Sequence, residues 1–332
     1  MAQFAAGPSE PDPRSHLLHR EVEAIRAEVG RVIVGQQGMI DRLLVALLTN
    51  NHALIEGVPG LAKTLAVSTL ARALECSFSR IQFTPDLLPA DVTGTLIFNP
   101  QDAEFHTRRG PIFANVVLAD EINRAPAKVQ SALLEAMQEH TVSIGGQTHA
   151  LPDPFLVLAT QNPIEQEGTY PLPEAQLDRF MLKIVVHYPE REQEREILAR
   201  SLDQEPQQAR PVVALAEIAR LREGVRAVEV NERLREYIVR IVEATREPAR
   251  FRLGELQPLL EFGVSPRAAI FLARAAQAYA FLDGRTFTTP EDVKALAPDV
   301  LRHRLILTYE AEARGVGADE VATRILESVG IP

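Results

Sequence analysis

Two glycines followed by a lysine and a threonine are the residues whose types and spacing point most directly to chemistry. They lie in the run Gly57–Thr64, in which Gly60 and Lys63 have the positions expected in a phosphate-binding loop. Glycines let backbone N–H groups approach a triphosphate, the lysine ammonium reaches its β- and γ-oxygens, and the threonine hydroxyl ligates Mg²⁺. Ala62 stands where the strict pattern has glycine, so an ordinary strand-to-helix turn with a surface lysine remains an alternative.

A second group of polar residues follows an apolar run, residues 115–119, that is typical of a strand buried on both faces of a parallel sheet. Asp120 and Glu121 come directly after it, where open α/β sheets bind ligands. Nucleotide hydrolysis needs one carboxylate to hold Mg²⁺, here Asp120, and one group to position the attacking water, here Glu121. The alternative is that both acids favour the positive end of a helix beginning near Pro126.

Five separated motifs, in this order, resemble the MoxR family of AAA+ ATPases: Gly57–Thr64, Leu118–Ala125, Ala159–Pro163, Leu172–Phe180 and Gly263–Ala268. The resemblance runs from about Val32 to Leu307. It implies an α/β fold with an AAA+ P-loop core, whose parallel sheet is flanked by helices, and a smaller all-helical lid. We expect a disordered tail over residues 1–15, the core over 16–189 and the lid over 190–332.

The resemblance also implies that the cofactors are ATP and Mg²⁺. The expected nucleotide-binding residues are Val34, Gly35, Gly57, Pro59, Gly60, Leu61, Ala62, Lys63, Thr64 and Leu65, and the expected metal ligands are Thr64 and Asp120. In the family, the segment that contains Val34 and Gly35 lies against the adenine. From spacing alone, the same segment is equally consistent with a plain turn between two helices.

Four residues are expected to be catalytic: Glu121, Asn162, Arg179 and Arg267. Asn162 follows an apolar strand and resembles the first sensor of the γ-phosphate, although an Asn-Pro turn explains it equally. Arg179 resembles an arginine finger that reaches the neighbouring subunit, and its alternative is a partner for a surface acid such as Asp178. Arg267 resembles the second sensor, which reads the γ-phosphate from the lid; the first turn of a helix is a poor place for a merely solvated cation.

Several further segments have weaker assignments. Residues 85–111 resemble the insertion of this clade in the second helix region, and Thr141–His149 predicts a β-hairpin around two glycines. Both are expected to contact client proteins in a ring, or else to be surface decorations. Arg124 is a candidate second trans-acting arginine, and the basic cluster Arg302–Arg304 is typical of a solvated helix face.

The composition of the chain argues against several classes of protein. The 332 residues carry a net charge of −10 and no tryptophan, which argues against bulk binding to nucleic acid or to anionic membranes. One cysteine excludes an intrachain disulfide. No apolar run approaches the length of a membrane span and no signal peptide is visible, so we expect a cytoplasmic protein without a membrane span.

The combined expectation is an ATPase that acts as a chaperone-like remodeller for the maturation, assembly or metal insertion of client proteins. Trans catalysis requires a homo-oligomer, and the resemblance implies a hexameric ring whose usual partners carry a von Willebrand factor A domain. Two alternatives stay open at this point: a DNA-associated AAA+ motor, and a nucleotide-gated scaffold with little turnover. A magnesium-chelatase-type motor subunit is a closer neighbour that shares the inserts and the ring.

Overall fold

The computed structural model of the chain describes residues 13–162, 168–203 and 207–331. The first helix begins at Pro13, three residues inside the tail expected over residues 1–15, and the rest of that tail lies outside the described residues. Pro163, which completes the Asn-Pro pair, also lies outside them. Among the described residues, no helix is both long and apolar enough to cross a membrane.

Helices and strands alternate through the first half of the chain, and helices dominate the second half. The helices are α1 (Pro13–Val32), α2 (Gln37–Leu48), α3 (Lys63–Ala73), α4 (Pro89–Thr93), α5 (Ala127–Glu139), α6 (Glu174–Leu177), α7 (Arg191–Asp203), α8 (Glu217–Ala227), α9 (Glu232–Arg246), α10 (Pro266–Leu282), α11 (Pro290–Leu301), α12 (Tyr309–Ala313) and α13 (Ala318–Ser328). The strands are β1 (Ala53–Glu56), β2 (Phe78–Gln82), β3 (Gly94–Asn99), β4 (Glu104–Arg109), β5 (Val116–Asp120), β6 (Thr141–Ile144), β7 (Gln147–Ala150), β8 (Leu156–Gln161), β9 (Leu182–Val185), β10 (Leu260–Phe262) and β11 (Ile306–Leu307).

The centre of the core is a five-stranded parallel sheet with the order β2-β5-β8-β1-β9. Side chains alternate across the sheet, so the apolar run of β5 serves two cores. Val116 and Leu118 pack into the cluster that includes α1, α2 and α3, whereas Val117 and Ala119 pack into the cluster that includes α5. Because both faces are buried, the strand is apolar at every position but the last, as the sequence predicted.

Both predicted insertions are present as antiparallel hairpins outside the main sheet. The first follows α4 and consists of β3 and β4, and the second consists of β6 and β7 and turns at Gly145 and Gly146. The hairpins touch, because the Leu96 side chain lies where a side chain on Gly145 would have to be placed. Phe98 and Phe105 form an exposed cross-strand pair in the first hairpin, with ring centroids 5.3 Å apart.

The second half of the chain forms a helical lid, which confirms the predicted architecture with one addition. The strands β10 and β11 form a short antiparallel ladder. Leu260 pairs with Leu307 there, and both side chains pack against the lid core. Strands of two or three residues, such as β10 and β11, are too short for hydrophobic periodicity to distinguish them from a helix.

Candidate active site

The phosphate loop, Gly57–Thr64, connects the carboxyl end of β1 to the start of α3. Gly60 has a φ of 89°, and Ala62, the residue before α3, has φ 55° and ψ 21°. The left-handed conformation explains why glycine is the usual residue at the position of Ala62, because a side chain there is strained. Ala62 adopts that conformation nonetheless. The alanine that stands in place of the usual glycine therefore leaves the backbone geometry of the loop intact.

Lys63 is the first residue of α3, and its ammonium group donates a hydrogen bond to the carbonyl of Gly57 at the start of the loop. Burial lowers the pKa of Lys63, and the negative charges of Asp120, Glu121 and Glu56 oppose that shift. The lysine is therefore near both acids, the predicted metal ligand Asp120 and the predicted catalytic residue Glu121.

A cavity of about 210 Å³ adjoins the phosphate loop. Val34 lines it from the segment before α2, the loop contributes Gly60, Leu61 and Ala62, and α3 contributes Leu65. Three residues that the sequence analysis did not single out complete the wall from the opposite side, namely Pro189, Ile197 and Arg200. This mostly apolar cavity with a polar rim is suited to a base next to the phosphates.

Gly35, the other residue expected near the base, lies between Val34 and Gln36, which both line this cavity. Its φ is 68°, and a Cβ atom there would lie 2.6 Å from the side chain of Gln193, near the start of α7. The positive φ favours glycine here, and a larger residue would also displace the end of the Gln193 side chain. Of the remaining expected nucleotide-binding residues, Pro59 is exposed on the loop and Gly57 is buried against Val186.

Asp120 ends β5 and has both carboxylate oxygens engaged. Oδ1 accepts a hydrogen bond from the Thr160 hydroxyl at 2.6 Å, and Oδ2 accepts two from Arg80 on the neighbouring strand β2, from its Nε at 3.0 Å and its Nη2 at 2.5 Å. Thr160 lies on β8, the strand on the other side of β5. The carboxylate is thus oriented from both neighbouring strands.

Glu121 follows Asp120 in a left-handed conformation, with φ 56° and ψ 51°. Its backbone N–H donates to the Thr160 hydroxyl at 2.9 Å, so one side chain orients both acids. The Glu121 carboxylate accepts from Gln82 Nε2 at 3.1 Å and pairs with Arg124 at 3.3 Å. Pro126 precedes α5 and no side chain caps that helix by a hydrogen bond, so neither acid acts as a capping residue, while a favourable charge near the start of the helix stays an alternative.

Asn162 follows β8 and is buried. Because β8 lies between β5 and β1, Asn162 stands at the carboxyl edge of the sheet between the strand of the acids and the strand of the phosphate loop. This is the neighbourhood that the sequence analysis expected for it.

Thr64 and Asp120 together suit a Mg²⁺ ion that is held mainly by nucleotide phosphates. Mg²⁺ prefers oxygen donors, keeps several waters, and usually takes only one or two carboxylates from the protein. In the described part of the chain no group of three or more His, Cys, Asp or Glu side chains could hold a metal ion, and this binding mode requires none. When bound, the ion would neutralise phosphate charge next to Lys63.

Arg179 lies at the other end of the sheet. It comes between α6 and β9, three residues before β9 begins, whereas the phosphate loop follows the last residue of the parallel strand β1. The two positions are separated by the length of a four-residue strand, roughly 10 Å. Arg179 is half-buried, and its Nη1 donates to the carbonyl of Leu134 on α5 at 2.6 Å.

Arg267 is found at the same end, at the start of α10, with its Nη1 3.3 Å from Oδ2 of Asp178. The other oxygen of Asp178 accepts from Arg304 Nε at 2.7 Å. We call Asp178, Arg179, Arg267 and Arg304 the arginine cluster. The interpretation of Arg302–Arg304 as a solvated helix face is wrong, because all three side chains are largely buried against the core.

The fold and the site define the class of protein: a P-loop nucleotide hydrolase with a helical lid. The family model described as "ATPase family associated with various cellular activities (AAA)" matches residues 52–182, and the model described as "AAA lid domain" matches residues 256–325. These matches cover the phosphate loop and both acids in the first case, and Arg267 and Arg304 in the second.

Curated relatives and a solved structure match nearly the whole chain. Chaperone MoxR1 of Mycobacterium tuberculosis is 51% identical over 96% of this chain and 83% of its own length, and Protein MoxR of Paracoccus denitrificans is 33% identical over 90% and 91%. The crystal structure of an inferred ATPase from Cytophaga hutchinsonii superposes with a TM-score of 0.91 at 49% identity, over 96% of this chain and 97% of that one. The chain belongs to the MoxR family of AAA+ ATPases, and it is an ATPase.

Several residues of the site were not found from the sequence. Thr160 is a β-branched residue at the end of an apolar strand, and that pattern predicts packing rather than a polar role. Arg80 and Gln82 carried a usable signal, since alternate residues of a strand share one face and these two are polar. Ile197 and Arg200 belong to a charged helix with no motif, so only its contact with the cavity reveals them.

Proposed function

We propose that the chain hydrolyses Mg-ATP in a site shared by two subunits of a ring, most simply a hexamer, and that the ring remodels client proteins. Lys63, Thr64 and Asp120 would bind the nucleotide and its metal ion, Glu121 would orient the attacking water, and Asn162 would assist from the neighbouring strand. Arg179 and Arg267 would serve the nucleotide of the adjacent subunit.

The observation that carries this proposal is the separation of the two arginines from the phosphate loop of their own subunit. Glu121 and the phosphate loop share the carboxyl edge of the sheet, whereas Arg179 and Asp178 precede β9 at its amino edge. A guanidinium at that edge is suited to meet a γ-phosphate presented by another copy of the chain. There it would offset the charge that develops in the transition state, an effect on the order of 10³-fold or more.

The expectation for Arg124 differs from that for Arg179. Arg124 pairs with Glu121 of its own subunit. We propose that it acts in cis, by holding the carboxylate of Glu121 until nucleotide binds, and not as a second arginine finger.

The client side of the proposal is supported by the two hairpins and by the relatives. The β3–β4 hairpin exposes Phe98 and Phe105 beyond the core, and its Leu96 rests on the second hairpin. Exposed aromatic residues of this kind are typical of protein contact sites. One relative is named a chaperone. We therefore propose maturation, assembly or metal insertion of client proteins, with a von Willebrand factor A domain protein as the partner class.

The two-subunit site is tested by mixing two inactive variants, Glu121→Gln and Arg179→Ala. Each variant alone should lose nearly all turnover. In mixed rings, an Arg179→Ala subunit still has Glu121 and can receive Arg179 from a Glu121→Gln neighbour. At equal amounts, random assembly completes roughly a quarter of the interfaces, so steady-state ATPase activity should recover to about that fraction.

The matched control is a mixture of Glu121→Gln with Lys63→Ala. Both substitutions damage the same half of the site, so no interface is completed and no activity should return. If the Glu121→Gln and Arg179→Ala subunits co-assemble in a sizing experiment but recover no more activity than this control, the shared site is wrong.

A further inference from the structure

The backbone on both sides of Arg179 is held by two residues of the lid. Arg304, just after α11, donates from Nη2 to the carbonyls of Asp178 at 3.1 Å and Phe180 at 2.5 Å. His303 donates from Nε2 to the same Phe180 carbonyl at 3.0 Å. The loop that carries the proposed finger is therefore bonded to the lid directly, and not only through the sheet.

Arg304 is built into this position as a buried cation. Its side chain is 2% exposed, and its guanidinium lies 4.9 Å from the ring centroid of Phe271 on α10. A buried charge is costly unless it is paired and its donors are satisfied. Burial lowers the pKa of Arg304 to about 10, and hydrogen bonding and charge pairing with Asp178 oppose that shift. At neutral pH the guanidinium is charged, and Asp178 compensates it.

Asp178 is shared between Arg304 and a second arginine of the lid. Its Oδ1 accepts from Arg304 Nε at 2.7 Å, and its Oδ2 pairs with Arg267 Nη1 at 3.3 Å. Among the ion pairs of the described residues, Asp178 is the partner of both arginines. The exposed head of Arg267 is thus tied to the residue that immediately precedes Arg179.

We infer that Asp178, clamped by Arg304, is a positioning residue that holds Arg179 and Arg267 in one fixed geometry toward the nucleotide of the neighbouring subunit. The inference rests on the proposed two-subunit site. Asp178 itself touches no nucleotide in this account. Its carboxylate sets where Arg267 points, and the bonds of Arg304 set the backbone from which Arg179 extends.

When the lid moves relative to its own core, α10 carries Arg267, whereas the Arg179 loop is also held by the core through the bond from Arg179 to Leu134 on α5. Lid motion would therefore load the bonds of Asp178 and change how the two arginines face the neighbour's phosphates. The lid state of one subunit would thereby set the hydrolysis rate of the next subunit, without a signal having to cross the sheet.

The test is Asp178→Asn, which keeps the shape of the side chain and removes its charge. At saturating ATP we expect kcat of the assembled ring to fall about tenfold, with KM for ATP within about twofold of wild type, because the lost geometry serves the transition state. Mixing Asp178→Asn with Glu121→Gln should restore turnover, since the Asp178→Asn subunit keeps an intact phosphate loop and Glu121.

Asp299→Asn is the matched control. Asp299 is also a buried acid shared by two arginines and also joins lid to core, through Arg42 on α2 at 2.6 Å and Arg302 at 2.5 Å. Among the described residues, no hydrogen bond or ion pair joins Asp299 directly to residues 178–180. Its substitution should lower the melting temperature at least as much as Asp178→Asn while leaving kcat within about twofold of wild type.

The inference is overturned if Asp178→Asn keeps the wild-type kcat, if Asp299→Asn loses as much, or if Glu121→Gln subunits co-assemble without restoring turnover. Arg179→Ala separates this failure from failure of the shared site. If Arg179→Ala abolishes turnover and Asp178→Asn does not, only the positioning role is wrong. Should Asp178→Asn not fold, Asp178→Glu keeps the charge, displaces the carboxylate, and is expected to lower kcat with an unchanged melting temperature.

Discussion

The phosphate loop and the arginine cluster lie at opposite ends of the same sheet and are built in different ways. The phosphate loop is one run of eight residues, Gly57–Thr64, whose geometry is set by local backbone angles and by one bond from Lys63 to Gly57. The arginine cluster draws on three segments, and its central bond joins Asp178 to Arg304 across 126 positions of the chain. One is a local structure, whereas the other exists only when the lid packs on the core.

This difference separates nucleotide binding from turnover. In our proposal all the residues that bind the phosphates belong to one subunit, so binding would not depend on a neighbour. In our proposal the arginines act on another subunit's nucleotide, so turnover depends both on assembly and on the position of the lid. Substitutions in the phosphate loop and in the arginine cluster should therefore give distinct kinetic signatures.

The largest expected effect on binding is that of Lys63→Ala. If Lys63 binds the triphosphate as proposed, removing the ammonium deletes charge-assisted hydrogen bonds to it, and ATP affinity should weaken by about 10³-fold. Titration with a fluorescent ATP analogue measures this directly. Arg179→Ala, by contrast, should keep its affinity within about threefold.

Lys183→Ala is the control for charge at this end of the sheet. Lys183 lies on β9 and pairs with Glu56 at 2.7 Å, one residue before the phosphate loop. Its loss should change ATP affinity no more than about threefold, because Lys183 pairs with Glu56 and not with a residue of the phosphate loop. Equal losses for Lys63→Ala and Lys183→Ala would mean that general charge, and not the phosphate-loop lysine, holds the nucleotide.

The sequence predicted the phosphate end of the molecule well, for a physical reason. Loop, acids and sensor each follow a strand, and parallel strands bring their carboxyl ends to one edge. The hairpins were also predictable, since alternation and a Gly-Gly turn are local signals. The expectation that the strand of Asn162 neighbours that of Asp120 agrees with the strand order, and the catalytic role of Asn162 stays a prediction.

The arginine end was predictable only in part. The motif identified Arg179 and Arg267, but nothing local indicated that Arg304 is buried or that it shares Asp178 with Arg267. Burial of an arginine depends on an acid and on carbonyl groups that are distant in the chain. In the sequence alone, the three consecutive basic residues Arg302–Arg304 therefore resemble a solvated helix end, and only the tertiary contacts show that they are largely buried.

Acid should weaken the arginine end of the sheet through buried neutral histidines. His52, just before β1, bonds the Met137 carbonyl and accepts from Val157 N–H, and burial lowers its pKa from 6.5 to about 4. The charge of His140 lowers it further, while the bond to Met137 raises it. His303, whose ring bonds Phe180, has its pKa lowered in the same direction, mainly by burial.

The direction in which pH changes the free energy of unfolding depends on how many protons the folded and unfolded chains bind. Because the folded pKa of His52 is lower than the unfolded value, the unfolded chain binds more protons between pH 6.5 and about pH 4. The free energy of unfolding should therefore be highest above pH 6.5 and fall by about 3 kcal/mol on acidification to pH 4 from His52 alone. Denaturant titrations at several pH values measure this slope. His52→Asn keeps an acceptor for Val157 and should flatten it; an unchanged slope would show that other groups dominate.

The smallest expected effect concerns Ala62 in the phosphate loop. Its left-handed backbone, φ 55°, costs an alanine about 1 kcal/mol or more, whereas glycine adopts it freely. Ala62→Gly removes that strain but gives the unfolded chain more freedom, which offsets roughly 0.5–1 kcal/mol. We expect a net gain in the free energy of unfolding between zero and about 1 kcal/mol, with ATP affinity within about threefold of wild type.

Ala199→Gly makes the same chemical change but should have the opposite effect, a decrease, on the free energy of unfolding. Ala199 is exposed in the interior of α7, where glycine should cost about 1 kcal/mol. Denaturant unfolding of the two variants side by side separates backbone strain from side-chain loss. If Ala62→Gly destabilises as much as Ala199→Gly, Ala62 carries no strain in the folded protein. The expected result would instead mean that the destabilising feature of the phosphate loop is local backbone strain, whereas that of the arginine cluster is the buried charge of Arg304, which Asp178 pairs only when the lid packs on the core.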